Sequence, residues 1–249
     1  MCKFIRRVML MAGVSFAGVF SSYSVGYAAP PAKAFGELPL AYDADISPDG
    51  SQIAVIVNSD GIYYAATRQT NNPNEKLKAV SLGKDLRPRY IKWVNNERFM
   101  VSVESTSMDR GTPYTTTHLF TKGLGEKKGK FLITPKDFFR QFNDEVIDWL
   151  EDDPDHILMQ YSNIAYDPFP DIYKVNVETG KGQRIQKQKV GIENWIVDES
   201  GKPRIGSGRT DGGNIRMKIL DVKTDKWENH DKYPGLTPNT PIYLSLIHI

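Results

Sequence analysis

Three internal histidines, one acidic run and one glycine-flanked serine are the residues of this chain whose types could do chemistry. A serine nucleophile on a sharp strand-to-helix turn needs G-x-S-x-G, and the 249-residue sequence has no copy of it. Its nearest strings are Gly13-Val14-Ser15-Phe16-Ala17, which lacks the last glycine, and Gly206-Ser207-Gly208, which has the wrong spacing and reads as part of a turn-rich segment. His118, His156 and His230 are scattered, with no H-x-x-x-H pair and no cysteine partner, so they read as solvated or packed side chains and not as zinc ligands. Glu151-Asp152-Asp153-Pro154-Asp155 has the charge for calcium but not the alternating Asp-x-Asp-x-Asp-Gly spacing that wraps a loop around the ion, and reads as an acidic turn facing water. Trp93, Trp149 and Trp195 could stack a sugar or a peptide, but recurring once per repeat they read as packing residues. Asp45, Asp148 and Asp198 would form a sugar-cleaving carboxylate pair only if folding gathered them in one funnel. The residues assign no catalytic, cofactor-binding or metal-binding position.

The elements that must position these side chains read as repeated β-meanders. Ile46-Ser47-Pro48-Asp49-Gly50 combines a proline that presets φ, an aspartate that bonds its own backbone and a glycine that tolerates positive φ. A strand follows, with Ile53, Val55 and Val57 on one face and Ala54 and Ile56 on the other, which predicts packing on both sides. The same anchor–turn–strand layout returns from Ile91-Lys92-Trp93, from Ile147-Asp148-Trp149 and from Trp195-Ile196-Val197. Anchored on Ile46, Trp93, Trp149 and Val197, the steps are 47, 56 and 48 residues, near the roughly 40 to 50 of a propeller blade. A second repeat is out of phase with the first: Val175-Asn176-Val177-Glu178-Thr179-Gly180-Lys181 matches Leu220-Asp221-Val222-Lys223-Thr224-Asp225-Lys226 at a spacing of 45, each reading as a strand that ends in a hairpin. The fold class is therefore all-β, an incomplete β-propeller of about four blades from a larger ring of seven or more. One helical insertion is expected over Thr134–Phe142, where Thr134 can cap and Pro135 suits the first helical position. It would account for the longer 56-residue step. Lys127-Lys128-Gly129-Lys130 reads as a solvated basic loop, and Asn143-Asp144-Glu145 and Tyr166-Asp167-Pro168-Phe169-Pro170 as rim loops.

The ends of the chain set its context. Lys3, Arg6 and Arg7 precede an apolar run, Val8 to Phe20, and Gly26-Tyr27-Ala28 offers a small-residue cleavage site, so residues 1–28 read as a secretory signal peptide. Ser21, Ser22 and Ser24 interrupt the run before it could span a bilayer. Cleavage removes Cys2, the one cysteine, which lies before the apolar run and so cannot serve as a lipoprotein anchor. It also leaves 29 Lys+Arg against 30 Asp+Glu, so neither nucleic acid nor anionic lipid is an expected partner. Residues 29–243 then form the partial propeller. Residues 244–249, Leu-Ser-Leu-Ile-His-Ile, resemble a translated adapter sequence and are treated as foreign to the domain, so His248 is given no role.

The leader, the opening Ile46-Ser47-Pro48-Asp49-Gly50, Lys92-Trp93-Val94-Asn95, Asp171-Ile172-Tyr173-Lys174-Val175-Asn176-Val177-Glu178-Thr179-Gly180 and Trp195-Ile196-Val197-Asp198-Glu199-Ser200-Gly201 together resemble the N-terminal propeller of exported bacterial prolyl oligopeptidase (S9) family serine peptidases. That resemblance covers roughly residues 35–243. It implies a periplasmic or secreted protein, a noncatalytic propeller that shields the active site and admits peptides by size, and hydrolysis by an α/β-hydrolase domain beyond this chain. Peptide substrates would be met through that domain, and the full-length protein could form homo-oligomers; no cofactor is implied. The alternative of another class is a stand-alone periplasmic propeller acting as a protein-interaction scaffold.

Overall fold

A computed structural model of the chain describes residues 36, 40–133, 141–163, 167, 169–210 and 212–232. The expected leader, the last residues of the expected propeller from 233 to 243 and the terminal string 244–249 lie outside the described residues. The chain divides into Met1–Glu37 and Leu38–Ile249, and every described strand belongs to the second unit.

That unit is all-β and built from local hairpins. The first sheet takes β1 (Ala41–Ile46), β2 (Gln52–Ser59), β3 (Ile62–Gln69) and β4 (Lys78–Gly83) in chain order. The second takes β5 (Arg87–Asn95), β6 (Arg98–Asp109), β7 (Thr112–Gly123) and β8 (Lys130–Phe131), with β9 (Phe142–Asn143) joined to β7 in parallel. The third is β10 (Val146–Asp148), β11 (His156–Tyr161), β12 (Asp171–Asn176) and β13 (Gly182–Gln186). The fourth is β14 (Asn194–Val197), β15 (Pro203–Arg209), β16 (Ile215–Asp221) and β17 (Lys226–Asn229), followed by a 3₁₀ turn at His230–Lys232. All four sequence anchors fall where the first strand of a sheet ends.

The turns follow from their residues. Asp49 accepts from Ser51 N at 3.0 Å and from Ser47 Oγ at 2.6 Å, and Gly50 takes φ 73°. Asp198 does the same in the fourth sheet, accepting from Ser200 N and Lys202 N at 3.0 Å, with Gly201 at φ 75°. The 45-residue repeat forms the turns between the third and fourth strands of the last two sheets. Asn176 Oδ1 accepts from Thr179 N at 2.8 Å and Asp221 Oδ1 from Thr224 N at 3.0 Å, and Gly180 and Asp225 hold the equivalent left-handed position.

Three apolar clusters join neighbouring sheets in series. Ala54, Ile56, Ala65 and Leu82 of the first sheet pack on Ile91, Trp93, Phe99 and Val101 of the second. Met100 and Leu119, on the second sheet's other face, meet Ile157, Met159, Tyr173 and Val175 of the third. Leu158 and Ile172 meet Ile192, Trp195 and Val197 at the fourth. Trp93 and Trp195 are buried at these junctions, and Trp149 is half-buried, edge-on to Tyr90. Polar bonds run along the same junctions. Asp43 and Asp45 of β1 accept from the backbone of Ile91 and Trp93 in β5 at 2.9 and 2.7 Å, and Gln160 of β11 accepts from Trp195 N at 2.8 Å. These acceptors satisfy the outward N–H groups of a strand that begins its sheet and has a ladder partner on one side only.

Three expectations are corrected. β2 packs fully on one face only: Ala54 and Ile56 are buried, whereas Ile53, Val55 and Val57 are half-buried, and no described sheet lies on that second face. Gly206-Ser207-Gly208 is not turn but the middle of β15. Its glycines are there because a Cβ at 206 would lie 2.8 Å from Ile192 Cγ2 and from the Trp195 ring, and one at 208 would lie 2.3 Å from Gly191 O. Phe142 is not the end of a helix. Gln141 O accepts from Thr117 N at 2.9 Å, and Phe142-Asn143 run alongside Thr117-His118 as strand. The rest of that expected helix, 134–140, lies outside the described residues.

Candidate functional site

In a meander, the starts of the first strands and the hairpins between second and third strands fall at the same end of the sheets. At that end a cleft of about 940 Å³ opens between the first and second sheets, walled by Tyr42, Tyr63, Lys84, Arg87, Arg89 and Glu104. A cleft of about 390 Å³ adjoins it toward the third sheet, sharing Arg89 and Glu104 and adding Tyr90, Thr117, Asp144 and Glu145. Tyr42 and Tyr63 stand edge-to-face, with ring centroids 6.0 Å apart.

Asp144 organises the floor. It is 4% exposed, and a buried carboxylate must be paired and hydrogen-bonded. One oxygen accepts from Arg89 Nη1 of β5 at 2.5 Å and from Ser102 Oγ of β6 at 2.6 Å. The other accepts from Thr117 Oγ1 of β7. Tyr90 Oη donates to the Asp144 carbonyl at 3.4 Å, and burial, followed by the Asp144 charge, pushes the Tyr90 phenol up to about 12. Three strands of the second sheet thus grip the link that enters the third. In the segment Asn143-Asp144-Glu145, read from the sequence as a rim loop, Asn143 and Asp144 are buried and Glu145 alone reaches the surface. The protein around the Glu145 carboxyl raises its pKa, opposed by a 3.3 Å bond from Gln160 Nε2. In the other expected rim loop, Tyr166 and Pro168 lie outside the described residues. Pro170 O accepts from Trp195 Nε1 at 2.7 Å, so that end of the loop holds a core side chain.

The remaining sequence candidates are kept apart. His156 pairs with Asp153 at 2.9 Å, His118 lies against Phe131 with ring centroids 4.9 Å apart, and His230 is half-exposed in the 3₁₀ turn. Among the described residues no three His, Cys, Asp or Glu converge on a metal position. Asp45 bonds the Trp93 backbone, Asp148 caps Leu150 N at 2.7 Å and Asp198 holds a turn, so the three carboxylates serve separate structural ends. In the acidic run Glu151, Asp152 and Asp155 face water, while Asp153 is paired with Lys174 at 2.5 Å as well as with His156.

These bonds hold the Asp153 carboxyl at about 2, Lys174 first and His156 second, against an ordinary 3.8. A carboxylate whose folded pKa lies below its unfolded one adds stability above the unfolded value and loses it as pH falls through the folded one. Asp153→Asn is therefore expected to cost on the order of 1 kcal/mol at neutral pH, after allowance for solvent screening, and to flatten the decline of urea stability between pH 4 and pH 2.

Sequence reasoning missed the residues that make the clefts. Arg87, Arg89 and Glu104 belong to no local motif, and Tyr42 lies beside a register shift in the β1–β2 pairing. The one available signal was Arg110-Gly111, a turn pair between two long alternating runs, which marks a hairpin of two twelve-residue strands.

The chain matches no family model and no curated protein. Among solved structures it is similar to the acylaminoacyl peptidase of Pyrococcus horikoshii, at 13% identity over 79% of this chain and 33% of that one, with a TM-score of 0.46. The β-propeller domain of the trilobed protease from Pyrococcus furiosus gives 14% identity over 79% of this chain and 60% of that one, with a TM-score of 0.41. TolB from Acinetobacter baumannii gives 14% over 76% and 43%, with a TM-score of 0.38. The chain spans a third of the length of the acylaminoacyl peptidase and less than two thirds of the other two.

Proposed function

We propose that this chain is four blades of the β-propeller of an exported S9-like serine peptidase, a noncatalytic module that gates and selects peptide substrates for an α/β-hydrolase domain outside it. One observation carries the reading: the first sheet presents an interface face with no described sheet on it. Ala44 and Ile46 stand 47 residues before Ile91 and Trp93, and Ile53, Val55 and Val57 stand 46 before Phe99, Val101 and Val103, the residues by which the second sheet packs on the first. Ile46 is 56% exposed where its counterpart Trp93 is 3% exposed. A face built for a neighbour implies a further blade, and hence a larger ring. The clefts, with charges of both signs and aromatic walls, suit peptides. In the full protein Ser would attack, His would take its proton and Asp would orient the His, all three outside this chain, and the protein would work in the periplasm or outside the cell.

The test is hydrolysis by the complete gene product. Cleavage of short peptides, refusal of folded proteins of the same composition and covalent labelling by a fluorophosphonate are expected. A product that neither labels nor cleaves, yet stays a soluble monomer with one cooperative melt, would replace this reading with the stand-alone periplasmic scaffold.

A further inference from the structure

The hairpin of β6 and β7 outreaches the rest of its sheet. β5 pairs with β6 only as far as Arg87 opposite Glu104, while β6 and β7 continue to Asp109 opposite Thr112. Between them Arg110 and Gly111, at φ 47° and 84°, form a two-residue turn of the primed type. In such a hairpin the residues flanking the turn exchange hydrogen bonds, and every second pair does so thereafter. Ser107 and Ser105 therefore bond toward β7, and Thr106 and Met108 turn their N–H and C=O groups the other way. Pro113 stands opposite Met108 in a non-bonded pair, where its missing N–H removes nothing from the ladder. Among the described residues no backbone partner meets Thr106 or Met108 on that outward side. Met108 is 64% exposed, and Glu104, Ser105 and Thr106 form a wall of the larger cleft.

The opposite wall fixes a polarity. Lys84 and Arg87, both exposed, line the cleft where β5 begins, with the exposed Asp85 between them, and neither cation has an ion-pair partner among the described residues, so the two outnumber the one carboxylate of this wall. Arg89, by contrast, is committed to Asp144. A strand laid antiparallel on the outward edge of β6 runs in the direction of β5, just ahead of it. Its C-terminal carboxylate then arrives beside Arg87 and Lys84.

We propose that the free edge of β6 at Thr106–Met108 takes the C-terminal residues of an extended peptide as an added strand, with the terminal carboxylate held by Arg87 and Lys84. At about 3.4 Å per residue the open edge accommodates roughly three residues. Backbone pairing supplies sequence-tolerant affinity, and the carboxylate supplies direction. This rests on the peptide-handling reading above and adds which end of the peptide is read, and by which residues.

The experiment uses the full chain and two probes, N-terminally fluorescein-labelled tetra-alanine with a free carboxylate and the same peptide as its C-terminal amide. Anisotropy is expected to show the acid binding about tenfold more tightly than the amide. Arg87→Gln should bring the two together without changing the melting temperature. Hydrogen exchange at the Thr106 and Met108 amides should slow when the acid is bound, and Thr106→Pro should weaken both probes. Equal binding of acid and amide, no binding of either, or unchanged exchange at Thr106 and Met108 would overturn the site. Any of those results leaves the peptidase reading to its own test, and a gene product without hydrolytic activity would not alter the acid-to-amide ratio.

Discussion

Gly180→Ala is expected to lower stability by about 4 kcal/mol, the sum of a left-handed backbone penalty and a backbone collision. Gly180 sits at φ 73° in the β12–β13 turn, its N–H donating to Asn176 O at 2.9 Å while Asn176 Oδ1 caps the residues before it. A Cβ there would come within 2.1 Å of the carbonyl oxygen of Leu132. Leu132 packs in the cluster that joins the second sheet to the third, so neither chain can retreat without opening that junction. Gly50→Ala is the control, since it has a similar φ of 73° but no atom within 4 Å of the added Cβ. Its cost should be the conformational part alone, about 1 kcal/mol. Urea midpoints of the two variants separate strain from collision, and a Gly180→Ala midpoint no lower than that of Gly50→Ala would refute the close contact.

Asp144→Ala is expected to cost about 3 kcal/mol, chiefly through the hydroxyls it abandons. Ser102 is fully buried and Thr117 is 3% exposed, so neither can turn to water when the carboxylate is removed. Arg89 loses less, because its side chain is 45% exposed and lies 4.0 Å from Glu104. Asp144→Asn keeps the shape and should cost about half as much, since its amide still accepts from one partner. Both variants release the Arg89 guanidinium into the clefts, so the acidic probe should bind either variant more tightly while the fold weakens. A variant with unchanged urea stability would show that the second sheet does not depend on this carboxylate.

What could be read beforehand was local. Ser47-Pro48-Asp49-Gly50 and Asp198-Glu199-Ser200-Gly201 state their turns in their own residues, and the Asn176 and Asp221 turns repeat because each side chain bonds its own backbone. The tryptophan positions were legible because a large residue recurring where each first strand ends is what sheet-on-sheet packing requires. The glycines of β15 misled, since glycine signals a turn unless something lies over the strand, and here Trp195 and the Gly191 carbonyl do. Phe142 misled because its strand partner, β7, lies some 25 residues back. The clefts were illegible for a related reason: Arg87, Arg89 and Glu104 come together through register across β5 and β6, and Asp144 completes them from the link into another sheet. Spacing along the chain records none of those distances.

Sequencing the gene through and beyond the codons for Thr240 to Ile249 decides whether these four sheets belong to a peptidase. An open frame that continues through further strand repeats to a G-x-S-x-G elbow, with Asp and His after it, is expected; a stop codon directly after Ile249 in the genomic sequence would overturn the peptidase reading.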